Sequence, residues 1–155
     1  MTLIPDWAPN LHPLLVHFPI AWIIAAVVVD IVGLTLPRAT WAGPTAAALY
    51  PAGALSAVAT YLSGRQAAAA VLVPGTAQPV VLEHWNWALA TTIYFVAIAI
   101  VRLAVALRRH GLPFWARGGV VAAGLVGLLL LFNTAERGAR LVNQHGVGVS
   151  PRTSR

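Results

Sequence analysis

The sequence predicts an all-α integral membrane protein, a four-helix bundle with both termini on one face of the bilayer. Three observations carry this. Of 155 residues, 59% are hydrophobic and only 9% charged, with a mean hydropathy of +0.77, against the roughly 25% charged residues of a soluble domain. Four apolar stretches each approach the roughly 20 residues that a helix needs to cross a membrane. The arginines lie mostly between or at the ends of those stretches, as they do in membrane loops.

The first span is expected over about residues 14–36, opened by the stretch NLHPLLVHFP. Pro13 suits a first helical turn and Pro19 still lies near the start, where a missing N–H costs little. His12 and His17 are about 140° apart on a regular helix, but His12 just outside the helix is free to fold back. The entry therefore reads as a rigid device holding two imidazoles at membrane depth. The second span, about 44–63, contains Pro51, which should kink it, and Gly53, Ala54, Ser56 and Ala57, which allow a neighbouring helix to approach closely. The third is expected over about 85–107 and the fourth over about 118–135, the latter with its own small-residue stripe of Gly119, Ala123 and Gly127. Residues 1–149 thus read as a single four-span domain. The glycine-punctuated LVNQHGVGV after the fourth span reads as a folded-back loop, and 150–155 as a disordered tail.

The net charge of +6 comes from ten arginines against four acids, with no lysine. Arg38 lies between the first two spans and Arg102, Arg108, Arg109 and Arg117 lie in or beside the connection between the last two, which predicts those loops to be cytoplasmic and both termini outer. Arg65, Arg137, Arg140, Arg152 and Arg155 are on the other side, together with Asp6, Glu83 and Glu136. Tryptophans mark both interfaces: Trp7, Trp85 and Trp87 at one, Trp41 and Trp115 at the other. The arginines form no continuous face, so nucleic acid is not an expected partner. The N-terminus carries no basic residue ahead of the first apolar run, so the first span is expected to remain in the mature protein.

Without cysteine, disulfides, thiolate metal sites, iron–sulfur clusters and covalent haem attachment are excluded. An even number of spans gathers His12, His17, His84 and His145 on one face, whereas His110 falls on the other beside Arg108 and Arg109. Neutral imidazole is the commonest nitrogen ligand of haem iron, copper and zinc, so the four are candidate cofactor or metal ligands. A lone interfacial histidine, by contrast, is ordinarily a hydrogen-bonded amphipathic residue. Asp30 is the only acid within a span, and Arg102 sits at matching depth in the third, so a structural ion pair is expected between them. Arg65, Glu83 and Glu136 with Arg137 are expected to form a polar rim over the histidines, where arginines pair with acids or with haem propionates.

Taken together, HPLLVHFPIA, an acid late in the first span, the Ser-Gly of YLSGRQA, a histidine opening the third span and the closing LVNQHGVGV resemble the bacterial membrane family catalogued as domain of unknown function 2231. The resemblance extends over nearly the whole chain and maps onto His12, Pro13, His17, Pro19, Asp30, Gly64, His84, His145 and Gly146. It departs at Asn143, where such proteins tend to carry an aromatic residue. It implies a four-helix membrane domain in the bacterial inner membrane and, because some relatives look as if they accompany cytochrome c domains, a redox setting.

Three functions remain open on the residues alone. The first is a b-type haem-binding electron-transfer subunit, with His17 and His84 as axial ligands, His12 and His145 beside them, and Phe18, Trp22, Trp85 and Trp87 around the ring. The second is a copper or zinc protein using all four histidines in a near-tetrahedral site. The third is a cofactor-free assembly subunit of a larger membrane complex. Partners follow accordingly: lipid, a cytochrome c or respiratory-complex subunit, or a second copy of the chain. No nucleophile triad, phosphate loop, zinc-protease motif or catalytic carboxylate pair is present, so the chain is not expected to be an enzyme by itself.

Overall fold

The computed structural model describes residues 10–107 and 112–149. Asp6, Trp7, Arg108, Arg109, His110, Arg152 and Arg155 and the 150–155 tail lie outside the described residues. The described chain is helical, with α1 at His12–Leu15, α2 at His17–Thr35, α3 at Ala42–Ala70, α4 at Gln78–Ala106 and α5 at Phe114–Asn143; a short 3-10 turn, Gly75–Ala77, precedes α4. Since α1 and α2 run on as one rod, His12–Thr35, the described residues form a bundle of four rods.

Three rods, His12–Thr35, Gly75–Ala106 and Phe114–Asn143, are long and apolar enough to cross a membrane. The fourth, α3, has the length but not the same hydropathy, because Ala, Gly, Ser and Thr replace the larger apolar residues. Its small residues serve packing: Ala42, Ala46, Ala47, Gly53, Ala54 and Ala57 are all buried, as is the large Tyr50. Helices also outrun the expected spans. α3 continues through Pro51 and past Ser63 to Ala70, α4 begins at Gln78 rather than Trp85, and α5 reaches Asn143 rather than Ala135. Hydropathy falls at the first charged residues, but helix geometry does not. Pro79 fits the opening turn of α4, and the polar ERGAR turns of α5 simply leave the hydrocarbon.

Around the bundle α2 lies beside α3, α3 beside α4, α4 beside α5, and α5 closes against α2. Consequently α2 and α4 occupy one diagonal, and their N-terminal ends share a face with the C-terminal ends of α3 and α5. Between helices in lipid there is little hydrophobic drive, so close packing and hydrogen bonds hold the bundle together. A Cβ on Gly53 would lie 2.8 Å from Ile23 Cγ1, and one on Gly127 would lie 2.6 Å from Phe95 Cζ. Ile23 and Phe95 are among the largest fully buried side chains, each filling the groove that a glycine leaves.

These two contacts are the same contact made twice. Phe95 stands 72 residues after Ile23, and Gly127 stands 74 after Gly53. The offset of 72 also relates His12 to His84 and Asp30 to Arg102, and that of 74 relates Thr60 to Thr134 and Gly64 to Gly138. The fold is two equivalent helical hairpins, α1–α2–α3 and α4–α5, related by a pseudo-twofold axis along the bundle.

Candidate functional site

At the end where α1 and α4 begin, the two hairpins enclose a cavity of about 650 Å³, reached by His12, His17, Thr60, Gly64, His84, Trp85, Thr134 and Gly138 among its walls. This is within the range of about 300–1,000 Å³ usual for cofactor and small-molecule sites.

Each hairpin supplies one imidazole in the same manner. His12 Nδ1–H donates to Thr60 O at 3.1 Å, and His84 Nδ1–H donates to Thr134 O at 3.0 Å. A carbonyl can only accept, so each ring carries a proton on Nδ1, and in its neutral form keeps the Nε2 lone pair. Ser63 Oγ lies 3.1 Å from His12 Nδ1 but already donates to Thr60 O at 2.9 Å, and so leaves that assignment intact. Neither Nε2 has a hydrogen-bond partner among the described residues. One helical turn beyond each threonine stands a glycine that makes room for the ring: a Cβ would come within 2.9 Å of His12 Cε1 at Gly64 and 3.1 Å of His84 Cε1 at Gly138.

The opening motif contributes more than its histidines. Pro19 has no N–H, which leaves the Leu15 carbonyl without its helical donor. Thr60 Oγ1 donates to that oxygen at 3.1 Å. Thr60 thereby binds the broken α1–α2 junction through its side chain and orients His12 through its carbonyl. In the second hairpin Thr134 Oγ1 meets Thr91 Oγ1 at 2.9 Å, and Thr91 is the equivalent of Pro19.

The other expected histidines are placed differently. His17 lines the cavity but is exposed, with Nδ1 3.3 Å from its own Leu14 O, and its equivalent in the second hairpin is Leu89. His145 follows α5 and is not part of the cavity wall. Among the described residues no three His, Cys, Asp or Glu side chains form a group able to hold a metal ion, so the expected four-nitrogen tetrahedral site is not assembled. The loop carrying His145 does fold back. Val147 N–H reaches Leu141 O at 2.9 Å, with positive φ at Gly146 and Gly148, and Val147 packs on Ala77, Val81 and Leu141 beside the cavity.

At the rim Arg137 is fully engaged. It donates to Glu83 Oε2 at 3.2 Å and Asn133 O at 3.0 Å, and its guanidinium lies 4.8 Å from the Trp87 ring centre. Glu136 pairs with Arg140 one turn along α5. Arg65 rests 5.3 Å over Trp85 and forms no ion pair among the described residues.

Towards the opposite end, Asp30 and Arg102 meet across the α2–α4 diagonal. Arg102 Nη2 donates to Asp30 Oδ1 at 2.8 Å, and both side chains are 8% exposed. The guanidinium lies 5.7 Å from the ring centre of fully buried Tyr50. Among the described residues Asp30 Oδ2, Tyr50 Oη and Arg102 Nε have no hydrogen-bond partner. Equivalent positions of the two hairpins thus carry opposite charges, which is what allows them to meet on a shared axis.

The model of a family described as a predicted membrane protein, DUF2231, matches residues 8–151. The chain belongs to that family. No curated protein and no solved structure matches it. The family description carries membrane character and no chemistry, so the site has to be read from its own geometry.

Sequence reasoning reached His12 and His84 but missed Thr60, Thr134 and Gly138, and noticed Gly64 only through the family pattern. The signal was present as a repeated Thr-x-x-x-Gly, TYLSG at 60–64 and TAERG at 134–138, combined with the 72-residue spacing of the histidines.

Proposed function

We propose that the protein is a b-type haem-binding electron-transfer subunit of the bacterial inner membrane, with His12 and His84 as the two axial ligands. The supporting observation is the matched pair of imidazoles, each fixed by an Nδ1–H to a backbone carbonyl and each offering a bare Nε2 to one cavity. Such a carbonyl bond sets the tautomer, orients the ring and raises its basicity as a ligand. A planar group held at its centre by two equivalent ligands suits a site whose halves are equivalent. The glycines beneath the rings serve the same end, because any side chain there would push the imidazole out of position.

The ligand pair differs from the His17–His84 pair expected from the sequence. His17 has no mate in the second hairpin and no interhelical hydrogen bond, whereas His12 has both. Haem, when bound, supplies one-electron redox chemistry; the chain binds it, orients its ligands and keeps its faces in an apolar wall. The site's position at the face shared by both termini, read as outer, favours exchange with a soluble carrier such as a cytochrome c.

The deciding experiment is the absorption spectrum of detergent-purified protein, as isolated and after titration with haem. The expected result is a low-spin bis-imidazole spectrum with one haem per chain, lost in His12→Ala and in His84→Ala and retained in His17→Ala and His145→Ala. A wild-type protein that is folded by circular dichroism and stays colourless after titration would overturn the proposal.

A further inference from the structure

The pseudo-twofold site poses a question that its two imidazoles cannot answer. Axial ligands hold a planar group at its centre and leave its rotation within its own plane open. A haem carries both of its carboxylates on one edge, so the direction in which that edge faces has to be fixed by something other than the imidazoles. A cation at the mouth is the group that would do so.

Arg65 has that character. It follows Gly64, the residue on which the His12 ring lies, and its guanidinium is held over Trp85, the residue after His84. Arg65 thus ties the segment that packs on His12 to the segment that carries His84, at the edge of a cavity whose wall includes Gly64 and Trp85. Its equivalent in the second hairpin is Ala139, and that of Trp85 is Pro13. Of the other rim cations, Arg137 is committed to Glu83, Asn133 and the face of Trp87, and Arg140 to Glu136. Among the described residues Arg65 meets only the indole, and stacking on an aromatic face leaves its N–H edge open to a carboxylate fork.

We propose that Arg65 is the carboxylate-binding residue of the site, a cation that recognises the acidic edge of the bound tetrapyrrole and turns that edge towards the mouth. This rests on the haem reading above. It is tested by titrating wild-type protein, Arg65→Gln, Arg65→Lys and Arg137→Gln with haem and with haem dimethyl ester, in which both carboxylates are masked. Wild type should prefer haem over its ester. Arg65→Gln should lower affinity for haem about five- to ten-fold, as loss of a partly exposed charge-assisted contact does, while leaving the ester unchanged. Arg65→Lys should restore part of the preference, and Arg137→Gln should preserve it.

Equal losses for haem and ester in Arg65→Gln would overturn the proposal by showing that Arg65 only packs on Trp85. Binding of neither ligand by folded wild type would instead overturn the haem reading and this one with it.

Discussion

Separating Asp30 from Arg102 tests how the two hairpins are joined. Opposite charges 2.8 Å apart attract by about 6 kcal/mol at an effective dielectric constant of about 20. Stripping water from both ions costs several kcal/mol for each. Here the compensation is incomplete, because Asp30 Oδ2 and Arg102 Nε find no partner. The pair should therefore add little net stability, while either ion alone would be costly. Asp30→Asn and Arg102→Met should each destabilise the bundle by about 3–5 kcal/mol, since each leaves a buried charge uncompensated. The double variant should cost only about 1–2 kcal/mol, giving a coupling of at least about 4 kcal/mol. Unfolding in mixed micelles with rising dodecyl sulfate, followed by circular dichroism and tryptophan fluorescence, measures all four corners of the cycle. A double variant whose cost equals the sum of the two single costs would refute the reasoning, because the residues would then be acting independently.

Other substitutions probe the remaining joints. Gly64→Ala and Gly138→Ala should displace the His12 and His84 rings from their carbonyls and weaken cofactor binding in a spectroscopic titration, with Gly64 the more severe because its clash is closer at 2.9 Å. Gly127→Ala places a methyl 2.6 Å from Phe95 Cζ and should cost about 1–3 kcal/mol in the same micellar unfolding assay, as overpacking does. Thr60→Val removes the donor to Leu15 O while nearly keeping shape, and should cost about 0.6–1 kcal/mol, typical of an interhelical hydrogen bond in a membrane. Glu83→Gln, at an exposed pair, should shift stability by less than about 1 kcal/mol.

The helical rods were legible because apolar length is a sum over many residues and tolerates local error. Their ends were not, since Gln78 and Asn143 sit in polar turns where hydropathy is silent and hydrogen bonding decides. Asp30 and Arg102 were readable as a pair from depth alone, for there are few other charges at that level. The distinction between His12 and His17 was out of reach. It depends on which ring meets a carbonyl 48 residues away, and the break created by Pro19 is what turns His12 towards Thr60. The repeat escaped notice because its equivalent positions exchanged chemistry: Asp30 faces Arg102, Ile23 is matched by Phe95, and Tyr50 is matched by Gly124, whose missing Cβ makes room for the tyrosine hydroxyl at 2.7 Å.

The division of the chamber between two hairpins has a bearing on biosynthesis. A nascent chain that has inserted only its first pair of helices possesses one imidazole and half a wall, and can retain nothing there. If the proposed haem binds there, its loading would wait until the last helix has left the ribosome and the second hairpin has docked. The haem would then touch both units at once and act as a clasp, so that its insertion and closure of the tertiary structure would become a single event.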